Sequence, residues 1–390
     1  MSRFDDVINR RNTNSEKYDF AEQFRGDENA VPLWVADMDF RAPEAVVEAV
    51  TKKAEHGIWG YSEAKEDYYD AVMSWFEKRH GWKTKREWIL KTPGVIYAIN
   101  AAVKAFTEPG EAVLIQRPVY PPFAACIEEN GRKLINNELV YNNGRYEMNL
   151  EEMEQLICRE NVKLFILCNP HNPVGRVWTK QELEQAGRLC LKHGVFVVSD
   201  EIHCDFTHPG HVHTPFASIS EELSDNCAVC TAPSKTFNLA GVQVSNIFVS
   251  NPNKKALLMK QLKLSGYGEL NIFALTACRA AYESGAPWLD ELKAYLADNL
   301  AYIRGFMQER LPQIHLNDPE GTYLLWIDFS GLSLEPEELR SFLLHKAGIW
   351  LSDGRDFADV SGQFMRLNMA CPRSLLERAM EQLADAVKAL

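Results

Sequence analysis

The chain has 390 residues, more than a single hydrophobic core usually organises, so two domains are expected. Its 46% hydrophobic and 25% charged residues are those of a globular protein. A formal net charge of −12 argues against general affinity for nucleic acid or an anionic membrane, while leaving room for a local anion site. Nine cysteines, an odd number scattered mostly through apolar runs, point to reduced thiols and not to a disulfide framework. The single Cys227-x-x-Cys230 has no second pair and reads as two small residues of a core strand. Met1 to Arg11 lacks the apolar stretch of a secretory signal, and no run approaches the roughly 20 apolar residues that span a bilayer. A cytoplasmic protein is the expectation.

Taken in order, residues 1–30 read as a polar, irregular lead-in. Val31 to Phe40 reads as a compact apolar strand closed by Asp37 and Asp39, with the acids facing solvent. Pro43 suits the first turn of a helix running to about His56, and a second helix is expected from about Glu63 to His80 after the aromatic turn Gly57–Tyr61. Thr92-Pro93-Gly94 precedes a helix from Val95 to Phe106, whose free N–H groups and dipole would favour an anion at its start. Ala112 to Gln116 is a short buried strand, and Arg117 to Phe123, with three prolines, reads as irregular.

Strands at 163–168, 195–199, 228–231 and 245–250 then alternate with helices at 149–160, 179–193 and 253–264. Apolar strands separated by amphipathic helices predict a mostly parallel sheet covered on both faces, an α/β fold. In such sheets ligands bind at the carboxyl ends of the strands, where the polar turns after Cys168, Ser199 and Thr231 fall. After about 285 the pattern changes to a long helix (288–310), a strand within Gly321–Phe329, a helix (335–347), the segments 348–351 and 364–369, and a final helix from Arg373. The expected division is a large domain over 45–285 and a smaller α+β domain built from 1–44 with 286–390.

Lys235 lies just beyond the strand 228–231, between Ser234 and Thr236. A lysine at the end of a core strand resists burial of its charge. Its lowered pKa makes it a nucleophile toward carbonyls, the property needed to form a Schiff base with pyridoxal phosphate. Alone, Ser-Lys-Thr better describes a solvated lysine in a strand-to-loop turn. Asn169-Pro-His-Asn-Pro-Val-Gly175 and Ser199-Asp-Glu-Ile-His203 narrow the choice. In that order, with Ser234-Lys-Thr-Phe-Asn238, they resemble the fold-type I pyridoxal-phosphate enzymes of the aminotransferase class I/II superfamily.

That resemblance implies a role for each of several residues. Lys235 would hold the cofactor and later move the Cα proton. Asp200 would pair with the pyridine nitrogen, and Asn172 would bond the ring hydroxyl oxygen. Tyr120 would stack on the ring or else serve as a core aromatic. Arg366 would bind the substrate carboxylate, with Arg355 and Arg373 as rivals. Gly94, Val95 and Ser234 would hold the phosphate, joined by Tyr61 from a neighbouring subunit, which implies a homodimer. Departures from the common aminotransferase pattern are Ala232 three residues before the lysine, Gln243 eight after it, and His203 where a tyrosine is usual.

These departures, with Pro32-Leu-Trp-Val-Ala-Asp-Met-Asp-Phe40, Trp59-Gly-Tyr61, Asp200–Phe206 and Phe364-Met-Arg-Leu-Asn-Met-Ala-Cys-Pro-Arg373, are similar to the MalY/PatB family of cystathionine β-lyases, or C–S lyases. The implied reaction is α,β-elimination from L-cystathionine or a related cysteine S-conjugate to a thiol, pyruvate and ammonia. The alternatives are an aminotransferase and, from another class, a regulatory or binding protein on the same fold. His208, His211 and His213 share one loop, but no carboxylate or cysteine pattern completes a metal site, so none is expected.

Overall fold

The computed structural model describes residues 2–142 and 144–390. Its centre is a seven-stranded sheet. In spatial order the strands are Ile89–Thr92, Ser245–Phe248, Cys227–Thr231, Phe196–Asp200, Leu164–Cys168, Ala112–Ile115 and Lys133–Asn136. Ser245–Phe248 runs antiparallel to both neighbours, while the five strands on its far side run parallel to one another.

Parallel strands with both faces covered need apolar residues at every position, and Leu164–Cys168 and Cys227–Thr231 are buried throughout. Alternate residues feed two cores. Phe165, Leu167, Val197, Cys227 and Val229 join the larger one, while Leu164, Ile166, Val198, Ala228 and Cys230 join the other. The two cysteines of the C-x-x-C therefore point to opposite faces, as expected of core residues. Each fully buried Leu or Phe in these layers contributes roughly 1.5–3 kcal/mol. Helix Val95–Phe106 covers one face through Ala98, Ile99, Ala102 and Val103, and helix Glu66–His80 sends Val72, Trp75 and Phe76 into the other core.

A second, antiparallel sheet has the order His315–Leu316, Leu324–Asp328, Phe364–Asn368, Ser352–Asp353. Helix Ala286–Arg310 buries Leu292, Leu296, Leu300, Ile303 and Met307, an i, i+4 stripe. Helix Arg373–Lys388 buries Leu376, Met380 and Leu383 on the same side of the molecule.

Two expectations need correction. Val31–Phe40 is not one strand. Only Val31–Pro32 pairs, in parallel with Ile349–Trp350, and the remainder is irregular backbone held by side chains. Its acids do not face solvent together, because Asp39 is buried against Lys17 (Nζ–Oδ2 2.7 Å) and Arg10 (2.7 Å). The proline-rich stretch 117–123 is irregular only to Pro121: a helix starts at Pro122 and runs to Glu128, because proline is tolerated in a helix's first turn. The helix expected at 335–347 is present over 336–346, with its second half, Phe342–Lys346, in π geometry. The strands Ile89–Thr92 and Lys133–Asn136, the hairpin Val140–Asn142/Arg145–Glu147 and the helix Ile272–Ser284 were not expected from the sequence.

Candidate active site

Three adjacent parallel strands end at Cys168, Asp200 and Thr231, and the turns beyond them open onto one cavity of about 200 Å³. Its wall includes Gly94, Val95, Tyr120, Asn172, Asp200, His203, Ser234 and Lys235, eight of the residues singled out from the sequence. Gln243 joins them at the position where an arginine was noted as usual. Tyr61 and Arg366 are not in the wall. Arg366 borders it through Asn172, whereas Tyr61 lies fully exposed on the surface of its own chain.

Lys235 sits on a single helical turn, Pro233–Thr236, started by proline directly after the core strand. Its Nζ donates to the Ala36 carbonyl at 2.8 Å. Burial, aided by the Arg366 charge, lowers its pKa to about 8 against the opposing pull of Asp37 and Asp200. Asp200 ends its strand as a buried carboxyl. Burial raises it to about 7, with Glu201 adding, while the Ile202 N–H (3.0 Å to Oδ1) and Lys235 act in the other direction.

Asn172 stands in a loop that cannot continue as strand because of Pro170 and Pro173. Gly175 closes that loop at φ +77°, in the left-handed region, donating its N–H to His171 O at 2.8 Å. His171 lies 2.9 Å from the Pro118 carbonyl through Nε2. A carbonyl only accepts, and burial lowers this histidine to about 4, so the neutral ring carries its proton on Nε2. That bond ties the Asn172 loop to the turn bearing Tyr120. His203 is likewise held neutral, chiefly by burial and secondarily by Lys235, and its buried Nδ1 has no partner among the described residues.

At the opposite wall, the N–H groups of Val95, Ile96 and Tyr97 precede the first intrahelical bond, which Ala98 donates to Gly94 O at 3.2 Å. All three residues line the cavity, at the positive end of a 12-residue helix. Gly94 has open space where a Cβ would sit.

Arg366 is buried in the middle strand of the small sheet. It donates through Nη1 to Asn172 Oδ1 (3.0 Å) and through Nη2 to the Trp34 carbonyl (2.8 Å) and Ser352 Oγ (3.2 Å), while its Nε has no partner among the described residues. The rivals are occupied elsewhere. Arg355 pairs with Asp353 and Glu337 at 2.6 Å each, and Arg373 donates to Asn299 at 2.9 Å and stacks on Tyr302.

The loop histidines also separate. His213 is buried 2.9 Å from Glu201, whereas His208 and His211 line a different cavity with Lys293 and Thr322.

The irregular segment 33–40 was absent from the sequence reading as part of the site. Ala36 O accepts from both Lys235 and Tyr323 Oη, the latter at 3.0 Å. The segment is pinned by two asparagines. Asn368 Nδ2 donates to Val35 O (2.7 Å) and Asp37 O (2.6 Å). Asn238 accepts from Met38 N and donates to Met38 O and Phe40 O at 2.8–2.9 Å. The available signal was a polar residue inside an otherwise apolar run, Leu367-Asn368-Met369.

The chain is similar to known proteins along nearly its whole length. The chain is 44% identical over 384 residues to "Cystathionine beta-lyase PatB" of Bacillus subtilis (strain 168), covering 98% of this chain and 99% of that protein. It is 32% identical to "Protein MalY" of Escherichia coli (strain K12), covering 100% of both chains. Among solved structures, cystalysin from Treponema denticola, which contains a pyridoxal 5′-phosphate cofactor, superposes with a TM-score of 0.96 at 36% identity, over 100% of this chain and 99% of that one. The PLP-bound C–S lyase from Staphylococcus hominis gives 0.93 at 31% identity, over 99% and 98%. A family profile for "Aminotransferase class I and II" matches residues 28–383. With its sheet, strand-end turns and lysine arranged as described, the chain belongs to the aminotransferase class I and II family and, within it, groups with PatB and MalY.

Proposed function

We propose that this chain is a pyridoxal-phosphate-dependent C–S β-lyase that eliminates a thiol from L-cystathionine or a related cysteine S-conjugate, leaving pyruvate and ammonia. The observation that carries the reading is the meeting of Lys235, Asp200 and Asn172 in one cavity, with Arg366 bonded to Asn172 at its border, in a chain 44% identical to a cystathionine β-lyase over nearly its full length.

The residues fit the cofactor. The cavity offers a lysine amine of lowered pKa, a buried carboxyl, a helix start with free N–H groups beside the Ser234 hydroxyl, and an unpartnered ring nitrogen on His203. When bound, pyridoxal phosphate supplies an electron sink that lets a proton leave the amino acid's Cα. Ser234 and the N–H groups of Val95 and Ile96 would hold the phosphate. Asp200 would keep a proton on the pyridine nitrogen. Tyr120 would lie against the ring, and Asn172 and His203 would bond its oxygen. Arg366 would take the substrate carboxylate as a planar fork. Lys235, with its pKa near neutrality, is suited to accept the Cα proton and to return it.

The exposed turn Ile58, Trp59 and Tyr61 supports a homodimer in which a second copy covers the turn and Tyr61 reaches the partner's phosphate site. The division into 45–285 and 1–44 with 286–390 is supported by the two separate sheets. Nine free cysteines support a reducing, cytoplasmic setting. Among the described residues no helix is long and apolar enough to cross a membrane.

The test is to give the purified holoenzyme L-cystathionine without any keto acid and to follow free thiol and pyruvate together. Equal release of both is expected. Amino transfer that appears only after 2-oxoglutarate is added would place the chain with the aminotransferases instead.

A further inference from the structure

Asp205 stands outside the cavity, on the turn that follows Asp200. Its Oδ2 accepts from Thr236 Oγ1 at 2.7 Å, Trp75 Nε1 lies 3.2 and 3.3 Å from its two oxygens, and His80 Nε2 lies 3.0 Å from Oδ1. Asp205 and Thr236 are both buried. Burial opposes a charge here, yet the hydrogen bonds from His80 and Thr236 prevail, so the carboxyl titrates below its ordinary range. His80, Cys204 and Asp205 bring together residue types that bind metals, but N–H and O–H donors already occupy both carboxylate oxygens.

The partner that matters is Thr236, the residue after Lys235. The turn from Glu201 to Phe206 carries Ile202 and His203 into the cavity wall and is closed by Cys204 N to Glu201 O (3.0 Å) and Phe206 N to His203 O (2.9 Å). Asp205 lies at the far end of that turn, and its bond to Thr236 joins it to the Lys235 turn. The next clamp along the chain is Asn238.

We infer that Asp205 is a positioning residue, which through Thr236 sets where Lys235 stands relative to Asp200 and His203. The inference rests on Lys235 being the cofactor-bearing lysine. Asp205 acts by geometry, through the hydroxyl that Thr236 donates to it.

The test uses the holoenzyme. Thr236→Val keeps the shape and removes the donor, Thr236→Ser restores it, and Trp75→Phe withdraws a different donor from the same carboxylate. Expected for Thr236→Val is a kcat about tenfold lower with KM within about twofold, together with an altered visible circular dichroism of the bound cofactor. Thr236→Ser should return both toward wild type. Trp75→Phe should lower the melting temperature and leave kcat and the dichroism unchanged. Wild-type kcat and dichroism in Thr236→Val would overturn the inference, as would losses in all three variants that simply track their melting temperatures. Retention of the lysine-bound cofactor band in Lys235→Ala would instead overturn the assignment of Lys235 itself.

Discussion

Arg366 Nη1 donates to Asn172 Oδ1 at 3.0 Å, joining the small sheet to the loop beyond the strand Leu164–Cys168. The guanidinium lies over the Phe357 ring, 4.7 Å from its centroid, and no carboxylate lies within ion-pair distance of it among the described residues. Burial lowers its pKa to about 10, with Tyr120, Tyr323 and Asp356 opposing. A buried cation held only by neutral acceptors, with Nε still free, is prepared for an incoming anion.

Replacing Arg366 with lysine removes the planar fork but keeps the charge. KM for the amino-acid substrate should rise about a hundredfold, with the visible spectrum of the bound cofactor unchanged. Steady-state kinetics checks this, and an unaltered KM would mean the carboxylate is bound elsewhere.

The pH dependence of the cofactor-free protein follows from two opposite shifts. Asp200 titrates at about 7 in the fold against 3.8 unfolded, so the native state keeps a proton that the unfolded chain has lost, and stability falls as pH rises through that window. Lys235 titrates at about 8 against 10.5 unfolded, so stability rises again above about 8. The combined penalty is greatest between these folded-state values. Asp200→Asn should therefore stabilise the cofactor-free protein near pH 7 by a few kcal/mol at most, roughly the size of such a shift, with the gain gone near pH 4. Urea unfolding at both pH values measures it, and the holoenzyme of the same variant should lose activity.

Lys17 is fully buried and meets Asp39 at 2.7 Å. Lys17→Met would leave that carboxylate with Arg10 alone in a buried setting, a loss of about 3 kcal/mol. Denaturant titration should show an earlier midpoint. Because Asp39 N also donates to Ala370 O at 3.0 Å, the same change should loosen the segment 33–40 and raise hydrogen exchange there.

Tyr61→Phe removes one hydroxyl from an exposed turn and should cost the folded chain almost nothing. Cofactor should nevertheless dissociate about tenfold more readily, the size of one hydrogen bond to a charged group. Mixed dimers of a Tyr61 variant with Lys235→Ala should recover activity above either parent, and no recovery would argue against a shared site.

The parallel sheet and the strand-end turns were legible because buried strands of such a sheet are uninterrupted apolar runs, and each ends where a chemically distinct residue begins: Asn169, Asp200, Lys235 beyond Thr231. Short edge strands such as Lys133–Asn136, only partly buried, carry no such signal. Segment 33–40 was misread for a different reason. Its apolar residues do pack inward, but its backbone polar groups are satisfied by Asn238, Asn368, Arg366 and Lys235, all distant in sequence. Composition reports burial and is silent on which partner satisfies a carbonyl. His203 shows the same limit, because its neutrality comes from its burial in the assembled site.

The pinning of segment 33–40 also has a bearing on how the protein is made. Asp200 and Lys235 are synthesised well before Arg366 and Asn368, which hold that segment over the lysine from the last strand of the chain. A ribosome-bound chain that has released only the large sheet has the floor of the cavity and the Asn238 clamp on Met38 and Phe40, but not the clamps that Arg366 and Asn368 place on Trp34, Val35 and Asp37. Full fastening of the wall formed by segment 33–40 thus waits for the last strand of the chain.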